Sequence, residues 1–562
     1  MKISRRISIV GIGFAFIAGA RGYQQPLVVS RERILTPELV GHIKDVAHGQ
    51  DIPGLALVLS QRDGETEYAV WGNRTEQGAT MTTDTLFSLA SCSKAFLSAA
   101  MGILIDDYTH GRNTTPLPTN IHELSWDTKI IHLLPDEWGL VDSWAEAKAN
   151  VRDILSHVSG LPSHDFSYDR SDSHASLLHK IRHLRPAFEL RERYSYNNMM
   201  YMIAAHIISK YSGSYTQFVQ ERIFNPLNMT STFSVDAATA SGRLTQTWTP
   251  PGRRIPFWFD ENIVELNAGA GGVLASAEDM GKWLQVLLNE GMDPRSNQTL
   301  IPSSAFAEIT TAHTIISGGH SSIPGFSIRG YGLGWDRYSY AGHDVISHDG
   351  SVPGISTFTV FDPLDGIGLS LLANADSKDE ALVDIAFHVL CRAWGHACPR
   401  HSHDVLAVST AHNIPSAGPT HNFAGAYYDE AYGYLTLCSE WSTSPECTSL
   451  IFLFHTSSSA QSPGTLYAVW PRVWGSHLRL VPVDATHFLF EPVTLFPNGY
   501  GKNTTPFEMS GGDIAVAEFV FDEVGRARGF GLSGTVGEPT MREKEGGVVR
   551  ETADVWFEKV EA

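Results

Sequence analysis

Strand-like segments stand at both ends of a long helical stretch, and this constrains the fold more than any other feature of the chain. "IPGLALVLSQRDGETEYAVWGN" reads as two strands around the turn "RDGE". From residue 331 the period changes to two: "YGLGWDRYSY", "DVISHDGSVPGISTFTVFDP" and "GIGLSLLANAD" read as successive antiparallel strands, closed by the helix "DEALVDIAFHVLCRAWG". Between about 107 and 330, helical patterns alternate with Pro- and Gly-containing loops. Strands so far apart share one core only if a single sheet draws them from both ends. The prediction is a mixed α/β (α+β) domain, an antiparallel sheet flanked by helices with a helical lobe formed by the middle of the segment.

Local signals set the boundaries. "VRDILSHVSGLPSH" predicts a helix ending at Ser159-Gly160, and "RYSYNNMMYMIAAHIISKYSG" a loop feeding a helix that stops at Gly213. "NAGAGGVLASAEDMGKWLQVLL" predicts a glycine turn, then a helix capped near Ser276. The polar stretch 399–421 reads as a linker between a first domain, 21–398, and a small all-β domain, 422–562. Residues 1–20 read as an export signal: Lys2, Arg5 and Arg6 precede the apolar run "ISIVGIGFAFIAGA", and Ala18-Gly19-Ala20 fits small-x-small cleavage. No later segment reads as a membrane span, so the expectation is a secreted, extracellular or periplasmic protein with no stable membrane insertion after signal removal.

Export makes two further features relevant. The five cysteines allow two local disulfides, Cys391–Cys398 and Cys438–Cys447, and leave Cys92 over. Sequons at Asn73, Asn113, Asn228, Asn297 and Asn503 permit glycosylation. A formal net charge of −20 repels phosphate backbones, which excludes nucleic acid as a partner. No cysteine and histidine spacing matches a zinc site, so no metal is expected.

The chemistry concentrates in "LFSLASCSKAFLSAAMGILID", where Ser88, Ser91, Cys92 and Ser93 precede Lys94. On a helix, residues three apart lie on neighbouring tracks of one face, so Ser91 is the hydroxyl set beside Lys94. Cys92 and Ser93 diverge, and Ser88 lies too far along the axis. A serine hydroxyl needs a base to become a nucleophile, and a lysine amine becomes one when burial depresses its pKa. Phe87, Leu89, Phe96 and Leu97 supply an apolar setting. "RYSYNNMMY" adds Tyr196, which can share the base role or relay a proton, and Asn198, which can position Lys94 and a substrate carbonyl. "SHDGSVPG" adds His348, Gly350 and Ser351 on a predicted strand, where glycine permits close approach and a backbone N–H can serve an oxyanion.

In this order the three stretches resemble the serine hydrolases of penicillin-binding or class C β-lactamase fold (peptidase S12-type), which include esterases, D-aminopeptidases and transesterases. Their pattern is S-x-x-K on a helix, Y-x-N on a loop and K/H-x-G on a strand. "HVSGLP", "AGAGGVLASAEDM" and "YGLGW" are also similar to stretches of that family, and the resemblance covers about residues 35 to 395. "FAGAYYDEAYGYLTL" resembles the start of the lipocalin-like β domain appended to some members.

The resemblance implies that Ser91 is acylated, that Lys94 and Tyr196 form the acid–base pair, and that Asn198 orients Lys94 and the substrate. It puts His348 where lactamases carry lysine, gives Gly350 the role of backbone clearance, and makes the main-chain N–H groups of Ser91 and Ser351 an oxyanion hole. No cofactor is implied. The partner is a small-molecule or short-peptide acyl substrate, and a homo-oligomer is left open. H-D-G in place of K-T-G points away from an efficient β-lactamase, towards an esterase, amidase or D-peptidase. An acyltransferase using the same Ser-Lys-Tyr centre and a non-catalytic penicillin-binding-like protein are the alternatives. Phe257 and Trp258 stand before the glycine turn as candidates for the acyl pocket or for core packing.

Overall fold

The computed structural model describes residues 33–321, 324–396, 422–458, 462–511, 515–534 and 540–560. The signal-like segment 1–20, the linker 399–421 and Cys398 lie outside the described residues.

An eight-stranded antiparallel sheet is built from both ends of the first segment. Its strands are β1 (Gly54–Gln61), β2 (Glu67–Gly72), β3 (Thr314–Ser317), β4 (Arg329–Tyr331), β5 (Asp336–Tyr340), β6 (His343–Val352), β7 (Ile355–Asp362) and β8 (Ile367–Ala373). The order is β2-β1-β8-β7-β6-β5-β4-β3, so β1 pairs with β8, Leu57 opposite Leu371. Because side chains alternate across a strand, β1 serves two cores. Leu55, Leu57 and Leu59 pack towards helices α1 (Pro37–Gly49) and, at the far end of the segment, Asp379–Trp394, with Leu39, Ile43 and Ile385. Ala56 and Val58 face the opposite core, which contains Met280 and Leu284. A sheet covered on both faces explains why β1, β7 and β8 are buried at every position.

The helical lobe is centred on three mutually packed helices: α2 (Ser93–Thr109), α3 (Asn198–Ser212) and α4 (Val264–Gly271). The next, α5 (Ala277–Leu288), is capped by Ser276, whose side chain accepts from Asp279 N, as its sequence predicts. α3 ends at Gly213 with φ +101°, also as predicted. Two boundaries differ. The helix begun at Val151 stops at Leu155, because His157 takes φ +60° and its ring accepts from Asn197 N. "NAGAG" is the end of α4, not a turn. A Cβ on Gly269 would lie 2.4 Å from Leu97 Cδ1 and 2.8 Å from Tyr201 O, so glycine is what lets α4 pack this closely on α2 and α3. The closing helix Asp379–Trp394 is α6.

The C-terminal sheet comprises β9 (Gly425–Asp429), β10 (Gly433–Leu437), β11 (Leu466–Arg472), β12 (Gly475–Pro482), β13 (His487–Phe496), β14 (Phe507–Ser510), β15 (Ala515–Phe521), β16 (Ala527–Ser533) and β17 (Val555–Val560). Eight follow the path β10-β9-β17-β16-β15-β13-β12-β11, and β14 pairs beside β13. Reciprocal backbone bonds between Cys438 and Tyr467, 2.7 and 2.9 Å, join the two edges and make the sheet barrel-like. Helix α7 (Pro445–Ser457) lies against it, tied by the Cys438–Cys447 disulfide.

Candidate active site

Ser91 stands at a bend. Ala90–Cys92 forms a short 3-10 turn that runs into α2, and Ala90 takes φ +48°, a left-handed conformation that costs energy for a residue with a Cβ. The bend is pinned: Leu89 N donates to Val273 O at 2.8 Å, and Val273 N donates back to Ser93 Oγ at 3.0 Å. Ser91 therefore sits at the amino end of the helix, where main-chain N–H groups lack intrahelical acceptors.

Lys94, fully buried, is 3.1 Å from Ser91 Oγ, and its Nζ also donates to Asn198 Oδ1 and Ala270 O, each at 2.8 Å. Burial pushes its pKa down to about 7, against the pull of Asp165 and Asp349. Tyr196 donates to Ser91 Oγ at 2.7 Å. Burial drives its pKa well above 10, so it is a neutral phenol at physiological pH and not a phenolate. His157 packs on the Tyr196 ring with centroids 4.4 Å apart, and burial keeps it uncharged at neutral pH. Asn198 is held from behind, its Nδ2 3.3 Å from Asp165 Oδ2.

The third sequence motif divides. Gly350 comes to the site: a Cβ there would lie 2.4 Å from Leu89 O and 3.1 Å from Ser91 N, so glycine brings β6 against the bend. Ser351 is exposed and lines the same cleft as Ser91. His348 does not reach the cleft. It is 4% exposed, its Nε2 is 3.0 Å from Tyr331 Oη and its Nδ1 bonds the Asp349 carbonyl. Burial lowers its pKa to about 4, so it carries no positive charge at neutral pH. Cys92 points away as the helical register requires, with Sγ 3.2 Å from His348 O, and burial raises its pKa to about 12.

A cleft of about 210 Å³ opens over Ser91. Its walls include Asp165, Phe259, Asn267, Val352 and, from the barrel, Trp474 and Gly511. Sequence patterns did not single out any of these. Of the neighbouring aromatics Phe257, Trp258 and Phe259, Phe259 lines the cleft, whereas Trp258 is buried beneath Arg170 and Phe257 packs with Leu86 and Leu274. Asn267 is 3% exposed, and its Nδ2 has no hydrogen-bond partner among the described residues.

Away from the cleft, Asn73, Asn228, Asn297 and Asn503 are exposed and Asn113 is half-buried. His343, Asp362 and Asp365 converge within 4.8 Å of one another, a grouping of metal-ligand type that cysteine and histidine spacing did not reveal. His343 stands five residues before His348 on β6, roughly 17 Å along the strand, so this group is separate from Ser91.

A family model described as Beta-lactamase matches residues 39–390, more than half of the chain. The chain belongs to the Beta-lactamase family. Within curated proteins, it is 27% identical over 363 residues to an unguisins hydrolase of Aspergillus campestris, a match covering 62% of this chain and 63% of that protein. This Beta-lactamase-family chain thus spans somewhat less than two thirds of that relative's length. Among solved structures, the octameric penicillin-binding protein homologue of Pyrococcus abyssi superposes with TM-score 0.52 at 17% identity, covering 93% of this chain and 99% of that one. D-amino acid amidase of Ochrobactrum anthropi SV3 superposes with TM-score 0.51 at 22% identity, covering 64% of this chain and 99% of that one. Both likenesses are of fold. The first extends over the barrel as well as the family domain.

Proposed function

We propose that the protein is a serine hydrolase that opens an amide or ester bond of a small-molecule or short-peptide substrate through an acyl-enzyme on Ser91. The observation that carries this is the way Lys94 is saturated. A neutral amine has two N–H donors and one lone pair. Asn198 Oδ1 and Ala270 O take the two donors, which leaves the lone pair for the Ser91 hydroxyl 3.1 Å away. With its pKa near 7, about half of Lys94 is in that base form at neutral pH.

The Ser91 proton passes to Lys94 Nζ as Oγ bonds the substrate carbonyl carbon. Main-chain N–H groups of Ser91 and Ser351 take the charge on the carbonyl oxygen. Collapse breaks the bond to the leaving group, which takes a proton from Tyr196 Oη, and Lys94 returns one to Tyr196. Water then repeats the sequence on the acyl-enzyme and releases the acid. The unpartnered Nδ2 of Asn267 donates to a second substrate carbonyl, since a buried donor left unpaired costs about 1–3 kcal/mol.

Neutral His348 supplies no fixed charge for a β-lactam carboxylate, which favours amides and esters. The relatives named as a hydrolase and a D-amino acid amidase support the same direction and make D-amino acid amides the first substrates to try. The Cys438–Cys447 disulfide supports an oxidising, exported setting. A panel of short aryl esters, D-amino acid amides and a chromogenic cephalosporin tests the proposal on wild type and Ser91→Ala. Ester or amide turnover lost in the variant supports it. Equal turnover by a folded variant defeats it.

A further inference from the structure

A chain of hydrogen bonds runs from the barrel to Lys94. Trp474, between β11 and β12, donates from Nε1 to Tyr168 Oη at 3.1 Å. Tyr168 donates to Asp165 Oδ1 at 2.7 Å. Asp165 accepts from Asn198 Nδ2, and Asn198 Oδ1 accepts from Lys94. The hairpin is seated by Arg472, whose Nε donates to Phe166 O at 2.9 Å, and the Trp474 ring meets Phe259 edge-on at 5.7 Å.

The polarity of this chain is fixed by group type. Indole nitrogen only donates and an ionised carboxylate only accepts. Tyr168, fully buried, has one proton, and the donor at its oxygen directs that proton to Asp165. Asp165 in turn holds the nitrogen end of the Asn198 amide, which leaves the oxygen end for Lys94. We propose, given the reading of Ser91 and Lys94 as the reacting pair, that Trp474 is a positioning residue for that pair, so that the hydrolase site is complete only with the C-terminal barrel in place.

The consequence of cutting the chain has a definite sign. Asp165 and Asp349 favour protonated Lys94, while Lys94 and the imidazoles of His157 and His348 each disfavour the other's charge; Cys92 is a neutral thiol, and Tyr196 and Tyr201 present their ring faces. Among the charged groups, Asp165 is the one tied to Trp474 through Tyr168. Loss of a donor to Asp165 leaves its negative charge less compensated. Lys94 then holds its proton to higher pH, and the acid limb of the rate profile moves up.

Trp474→Phe keeps the ring beside Phe259 and removes the N–H, and Tyr168→Phe cuts the next link. The full chain is first labelled with a fluorophosphonate to establish reaction at Ser91. Then kcat and KM for an activated ester are measured from about pH 5 to about pH 9. The expected result is a fall in kcat of about tenfold for Tyr168→Phe and about threefold for Trp474→Phe, with KM within about twofold and the acid-limb midpoint raised by about half a pH unit. Wild-type kcat and midpoint in both folded variants overturn the proposal. Should Trp474→Phe not fold, an unchanged midpoint in Tyr168→Phe overturns it alone. A wild type that takes no label defeats the hydrolase reading itself, whereas a labelled wild type with unaffected variants defeats only the role of Trp474.

Discussion

Replacing Lys94 with methionine separates what the lysine costs the fold from what it gives the reaction. Burial lowers its pKa from 10.5 to about 7, a difference equivalent to about 5 kcal/mol of folding free energy. The sign follows from proton counts. Between the two values the unfolded chain binds a proton that the folded chain does not, so stability rises with pH across that window. The penalty is full below about pH 7 and vanishes as pH passes the unfolded value. By linkage, wild type recovers about 3 kcal/mol of it between about pH 6 and about pH 9. Lys94→Met has no such penalty, but it leaves Asn198 Oδ1 and Ala270 O without their donor at any pH. The absolute difference between the two proteins therefore mixes opposing effects, but its change with pH isolates the amine. Urea unfolding of both proteins at the two pH values reads it: the stability of Lys94→Met relative to wild type falls by about 2–3 kcal/mol on going to the higher pH. A difference that stays constant means the lysine titrates normally in the folded protein, and the assignment of Lys94 as a neutral base is then wrong.

Other variants test individual parts of the site. Cys92→Ala keeps kcat within about twofold, since the thiol faces His348 O and is held protonated; loss of turnover comparable to that of Ser91→Ala would return Cys92 to the list of nucleophiles. Tyr196→Phe lowers kcat about 10²-fold or more in steady-state assays with a poor leaving group, and much less with an activated ester that needs no protonation. Gly350→Ala pushes β6 off the bend and lowers kcat more than tenfold while destabilising the fold by about 1–3 kcal/mol, read by denaturant midpoint. Asn267→Ala raises KM for amides with a second carbonyl by about tenfold and leaves simple esters nearly unchanged.

How much of this could be read in the sequence depends on distance along the chain. Ser91 and Lys94 were legible because a three-residue offset on a helix is local geometry, and it survives the 3-10 turn at the bend. The sheet was legible because its strand segments are apolar and bounded by turns, although burial on both faces erases alternation in β1 and β7. The glycines of "NAGAGG" misled because packing against α2 and α3 overrides their low helix propensity. His348 showed the right position on its strand, but strand alternation gives a face and not a depth, and Tyr331 closes over it. Asp165 was one acid in a polar loop, and Trp474 lies 306 residues from Tyr168, so nothing local announced their meeting.

The central claim is that Ser91 Oγ, and no other atom of the crowded "SLASCSK" stretch, is the nucleophile. Intact-protein mass spectrometry after fluorophosphonate treatment, followed by peptide mapping, tests it directly. The account predicts a single adduct on Ser91, absent from Ser91→Ala and unchanged in Cys92→Ala. An adduct on Ser88, Cys92 or Ser93, or no adduct on the folded wild type, would contradict it.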